Sequence, residues 1–201
     1  TNLDADGMMY VLQQDKHAVK NWDVPLGMKR DAASSSGYSP LNGAVDLADG
    51  RRLRPRPLVL RANVGDCVEV RLTNELSGPQ FGGKLLNPRA SLHTHGAAYD
   101  VQTSDGSKVG FNDDSTIGIG QTKIYNMVAP MQEAAYLFDS HGAIAGSEAD
   151  GGSTVHGLFG ALAVQPRGST WSDPVSGNPL YSGTTQQSGE LYIDAVITPP
   201  A

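Results

Sequence analysis

Glycine and proline interrupt this chain too often for a helical architecture: 24 glycines and 12 prolines stand among 201 residues. In a helix interior a glycine costs about 1 kcal/mol and a proline about 3 kcal/mol relative to alanine. The same residues end short strands and supply the turns between them. No stretch of ten or more residues carries an amphipathic helical pattern. The prediction is an all-β domain, a sandwich or barrel of short strands joined by long loops.

Strand text begins at Leu58. Val64 to Asn74 alternates, with Val68, Val70 and Leu72 on one face and Glu69, Arg71 and Thr73 on the other, the pattern of a half-buried strand. Further strands are expected at 122–128, 135–141, 158–164 and 190–197, with a short one at 8–12. Loops are expected over 31–37, 51–57, 80–90 and 142–154, and a Gly- and Asp-rich stretch runs from residue 96 to 120. Three segments follow: an N-terminal arm over 1–56, a β domain over 57–190, and over 191–201 the start of a strand or linker.

Composition removes several classes of function. Fifteen Lys and Arg against 21 Asp and Glu give a net charge of −6, which leaves no basic surface for a nucleic acid. No run approaches 18 apolar residues, so no membrane span is expected, and residues 1–7 are too polar for a signal sequence. The single cysteine, Cys67, falls on the charged face of its strand and cannot form an internal disulfide, so packing alone must hold the core.

The histidines carry the chemical signal. His93 and His95 are two residues apart, which on a strand puts both imidazoles on one face, roughly 7 Å apart at the backbone. Asp139 and His141 repeat that spacing after an aromatic, apolar run. Imidazole is a common ligand of copper, zinc and iron, so two such pairs on neighbouring strands make a candidate metal site of His93, His95, His141 and Asp139. His156, at the entrance to a strand, is read as structural or as an additional ligand, and His17 has no partner in sequence.

Four blocks in order carry a family resemblance: Pro57 to Asn74, Leu92-His-Thr-His-Gly96, Tyr136-Leu-Phe-Asp-Ser-His141 and Gly157-Leu-Phe-Gly-Ala-Leu-Ala-Val164. Together they resemble the first cupredoxin domain of a multicopper oxidase, and the long loops resemble the large bacterial, manganese-oxidase-like subgroup. The resemblance implies a cupredoxin-like Greek-key β-sandwich and copper as cofactor. It implies that His93 ligates a type 2 copper and that His95 and His141 ligate type 3 coppers of a trinuclear site that reduces O₂ to water. That site would be shared with C-terminal cupredoxin domains of the same oxidase or of another subunit. The resemblance further implies a periplasmic or extracellular location, and protein carboxylates that deliver protons, for which Asp100 and Asp139 are nearest in sequence.

Two departures qualify it. Where the family has a second His-Ser-His block this chain reads Asp139-Ser-His141, so a harder carboxylate donor stands in place of an imidazole. The His-Cys-His block of the family's mononuclear copper is not in this chain, and residues 195–201 resemble a passage into a further domain. The chain alone is therefore expected to be inactive as an oxidase. A stand-alone copper or zinc module, a cupin-type mononuclear metal enzyme and a metal-free structural domain are the competing readings.

Overall fold

The computed structural model describes residues 8–13, 16, 28–30, 33, 35, 38–40, 57–76, 80–81, 84–85, 89–142, 153–154, 156–172, 177–180 and 196–200. His17, most of the loops expected over 31–37, 51–57 and 142–154, and the first residues of the last expected strand lie outside them. Among the described residues the chain forms, in order, the strands β1 (Met28–Arg30), β2 (Tyr38–Pro40), β3 (Leu58–Asn63), β4 (Cys67–Thr73), β5 (Gln80–Phe81), β6 (Lys84–Leu85), β7 (His93–Thr94), β8 (Ala98–Tyr99), β9 (Thr122–Val128), β10 (Ala134–Asp139), β11 (Phe159–Gln165), β12 (Thr170–Ser172), β13 (Pro179–Leu180) and β14 (Val196–Thr198). The all-β expectation is met.

The chain divides into two compact units. The larger comprises Thr1–Tyr10, Pro57–Thr170 and Thr198–Ala201, and it contains the candidate site. Its first sheet has the order β3-β11-β10-β7, and its second has the order β4-β9-β8. Most pairings are antiparallel, but β3 and β11 run parallel, Leu58 opposite Gly160 through Asn63 opposite Gln165. A tight turn carries the chain from the first sheet to the second. There the Asp66 carboxylate accepts from the Asn63 amide at 2.8 Å, and the Asp66 amide donates to the Asn63 carbonyl at 3.0 Å.

Alternation makes each sheet two-faced. In β4 exposure alternates at every residue, with Val68, Val70 and Leu72 turned inward as expected and Cys67 exposed on the outer face. Tyr125 and Met127 of β9 do the same, and they join Ala62, Phe138, Leu162 and Val164 of the other sheet in one core. Two sheets sharing one apolar layer make a sandwich. Gly160 is required by this packing, because a Cβ there would run into the Phe138 ring and the Leu58 carbonyl. Its absence lets Phe138 lie fully buried across β11.

Three local expectations are corrected. Residues 8–12 form no strand; Met8 makes one ladder-like bond to the His156 carbonyl at 2.7 Å, and Tyr10 then turns its ring into the core, edge-on to Phe138 at 5.4 Å. The strand expected to reach residue 141 is regular only to Asp139; the Ser140 amide still donates to the Leu158 carbonyl at 3.1 Å, and beyond it Gly142 packs against the Arg89 backbone. Within the loop expected at 80–90, β5 and β6 pair antiparallel, Gln80 opposite Leu85 and Phe81 opposite Lys84.

The smaller unit comprises Val11–Arg56 and Trp171–Ile197. It contains the antiparallel pair of β1 and β2, and a three-stranded sheet has the order β13-β12-β14.

Candidate metal centre

Strand pairing builds the site. β7 and β10 are antiparallel, with Thr94 opposite Phe138 and His93 opposite Asp139. Thr94 and Phe138 are buried, and side chains alternate along a strand, so His93 and Asp139 leave the opposite face. His95 and His141, each two residues further on, emerge on that face as well. The His95 amide donates to the Leu137 carbonyl at 2.9 Å, which extends the ladder past the end of β7. Beneath His141 two buried serines lock the backbone: Ser91 Oγ accepts from the His141 amide at 2.8 Å, and Ser140 Oγ accepts from the Ser91 amide at 3.2 Å.

The three imidazoles converge. Ring centroids are 4.4 Å apart for His93 and His141, 4.9 Å for His93 and His95, and 6.3 Å for His95 and His141. One ligand atom from each lies within 4.8 Å of the others. Asp139, only 7% exposed, turns one carboxylate oxygen to two of the rings, Oδ1 lying 3.2 Å from His95 Nε2 and 3.3 Å from His141 Nε2. Burial pushes its carboxyl pKa up, but hydrogen bonds and charge from His141, and then from His95, outweigh this and hold it below the usual carboxylate range.

His93 is oriented from the other side. Its Nδ1 lies 2.6 Å from the Asp105 carbonyl, 3.4 Å from Asp105 Oδ1 and 3.5 Å from the Tyr99 hydroxyl. A carbonyl only accepts, so Nδ1 carries the proton and Nε2 keeps its lone pair. A ligating histidine typically has its second nitrogen tied in this way. Burial, with the Asp105 charge adding to it, pushes the Tyr99 phenol up to about 12, so it keeps its proton and donates a hydrogen bond to the Asp105 carboxylate. Gly106 allows the loop to reach this position: its φ is +77°, and a Cβ would strike the Leu92 carbonyl.

The structure thus brings His93, His95, His141 and Asp139 together. Cys67 lies on the outer face of β4, and His156 is outside the three-histidine group, its carbonyl engaged by Met8. Asp100 shapes a turn, accepting from the Gln102 amide at 2.9 Å and the Thr103 hydroxyl at 3.2 Å. Asp105, which sequence reasoning missed, is the carboxylate beside His93. The Asp105-Gly106 dipeptide, a turn signal inside a stretch read only as loop, was the available clue.

No protein-family model matches this sequence, and no curated protein matches it. Solved structures do. A multicopper oxidase from Pseudomonas thermotolerans matches at 21% identity and a TM-score of 0.40, over 55% of this chain and 22% of its own. The chain is similar to multicopper oxidase domains. A multicopper oxidase from Campylobacter jejuni, described as a metallo-oxidase, matches at 22% identity and a TM-score of 0.39, over 55% and 19%. A copper nitrite reductase from Nitrosomonas europaea matches at 22% and 0.39, over 56% and 31%. The chain spans less than a third of each of these proteins. The likeness is one of fold, and it does not distinguish the manganese-oxidase-like subgroup.

Proposed function

We propose that this chain is a copper-binding, cupredoxin-like domain of a multicopper oxidase, with 57–190 as its cupredoxin portion and 1–56 and 191–201 as flanking segments. His93, His95 and His141 would hold metal, with Asp139 in the position of the family's missing imidazole. The observation that carries this reading is the convergence of three imidazoles on one sheet face. The donor set fits the group, since imidazole suits copper and the His93 tautomer leaves Nε2 open.

Copper bound here would supply the one-electron steps by which O₂ is reduced to water, at a trinuclear site completed by another cupredoxin domain or subunit. The chain's own residues position and exclude. Asp105 and Tyr99 orient the His93 ring, the Ser91 and Ser140 pair anchors the His141 backbone, and one oxygen of the Asp139 carboxylate faces the other two rings. Among the described residues no helix is long and apolar enough to cross a membrane, and a periplasmic or extracellular setting completes the proposal.

Copper loading tests the ligand assignment. His93→Ala should lose copper as read by native mass spectrometry, while His156→Ala retains it; equal retention in both removes the assignment. A second reading, a metal-binding module without oxidase chemistry, is favoured by the fact that all four donors come from one chain. It predicts full loading in isolation and no gain of O₂ consumption when the remaining oxidase domains are supplied.

A further inference from the structure

The contacts of Asp139 are long for charge-assisted hydrogen bonds, which run about 2.7–2.9 Å for N–H to carboxylate oxygen. They lie at 3.2 Å to His95 Nε2 and 3.3 Å to His141 Nε2. A different geometry accounts for those values. Around one four-coordinate divalent ion with metal–nitrogen and metal–oxygen distances near 2.1 Å, tetrahedral angles place neighbouring donor atoms about 3.4 Å apart. Both spacings from Asp139 Oδ1 are already within about 0.2 Å of that value, a shift no larger than the length tolerance of such bonds.

We propose that His95 Nε2, His141 Nε2 and Asp139 Oδ1 form a mononuclear corner that takes a single zinc-like divalent ion directly. The fourth position is open to water or to a further ligand. This rests on the reading that the histidine cluster binds metal, and it adds which atoms bind, how many ions enter and of what class. One carboxylate among imidazoles, with no sulfur donor, matches a divalent ion of borderline hardness better than soft copper(I). His93 stands beside the corner and is oriented separately by Asp105. In the metal-free chain the Asp139 oxygen can only accept, so both Nε2 atoms carry protons; an ion taking that place moves each ring proton to Nδ1.

The experiment uses the full chain and zinc alone. Native mass spectrometry with competition against a chelator should show one zinc per chain, and Asp139→Asn should weaken binding by about tenfold or more. His95→Gln should weaken it likewise, while His156→Gln changes it little. Ring ¹⁵N shifts of His95 and His141 should pass from the Nε2–H to the Nδ1–H form as zinc is added, a signature that a carboxylate serving only to support the fold would not produce. Unchanged affinity in Asp139→Asn overturns the corner but leaves a three-imidazole site standing. Absence of any bound metal, copper included, in the unaltered chain overturns both. If Asp139→Asn fails to fold, His95→Gln and the ring tautomers of the unaltered chain decide the question.

Discussion

Replacing Tyr10 tests whether the segment ahead of the strands belongs to the core that supports the candidate metal centre. The ring is 5% exposed and meets Phe138 edge-on at 5.4 Å, and its hydroxyl donates to the Ser91 carbonyl. Burial pushes the phenol pKa up, so the hydroxyl remains a donor at all ordinary pH. Tyr10→Phe keeps the packing and leaves a buried carbonyl unpaired, at a cost of about 1–3 kcal/mol. Tyr10→Ala also opens a cavity and should cost about 3–5 kcal/mol, as aromatic-to-alanine changes do. In a chain of this length each kcal/mol lowers Tm by about 2–4 °C, so losses of about 4–8 °C and 8–16 °C are expected for mid-range values. Thermal unfolding followed by circular dichroism measures both. Because Ser91 also holds the His141 amide, the phenylalanine variant should bind metal more weakly as well. Alanine and wild-type proteins that melt within a degree of each other would refute the reasoning, since the segment would then contribute nothing to the core.

Two further perturbations follow from other parts of the fold. Gly106→Ala should destabilise the protein by about 1–2 kcal/mol from its left-handed backbone alone, with an added loss as the Leu92 carbonyl is displaced; chemical denaturation should show the loss, and copper loading should fall because His93 follows Leu92. Asp114 is pulled below its ordinary pKa. Partial burial raises the value, but the Thr116 amide and hydroxyl, then Arg89 at 3.0 Å and Lys108 at 4.0 Å, prevail. A lowered folded-state pKa contributes stability that is present above the unfolded carboxylate value, near 3.9, and is lost as pH falls through the folded value. The gap in stability between wild type and Asp114→Asn should therefore close as pH drops below about 4, measured by urea unfolding at a series of pH values; a constant gap would contradict it.

Much of the architecture was legible because it rests on local rules. A period of two in Val68, Val70 and Leu72 foretold the inner face of β4 and left Cys67 outside. The same period in His93-Thr94-His95 and Asp139-Ser140-His141 foretold which side chains share a face. The parallel pairing of β3 with β11 was not legible, since residues about a hundred apart meet there through packing that no local pattern encodes. Nor was the end of β10 at Asp139, beyond which Gly142 packs against the backbone of Arg89, a residue distant in the chain.

The inventory and its spacing are local properties: strands ended by glycine and proline, four candidate donors in two pairs, and one cysteine on the wrong face to join them. Those follow from backbone geometry, which each short segment carries alone. Only tertiary structure decided that Asp139 would turn a single oxygen to two imidazoles, that Asp105 rather than Asp100 would orient His93, and that Tyr10 would reach under the site. Each of these needs groups distant in the chain to be buried together. A buried donor or acceptor must find its partner wherever the fold places one.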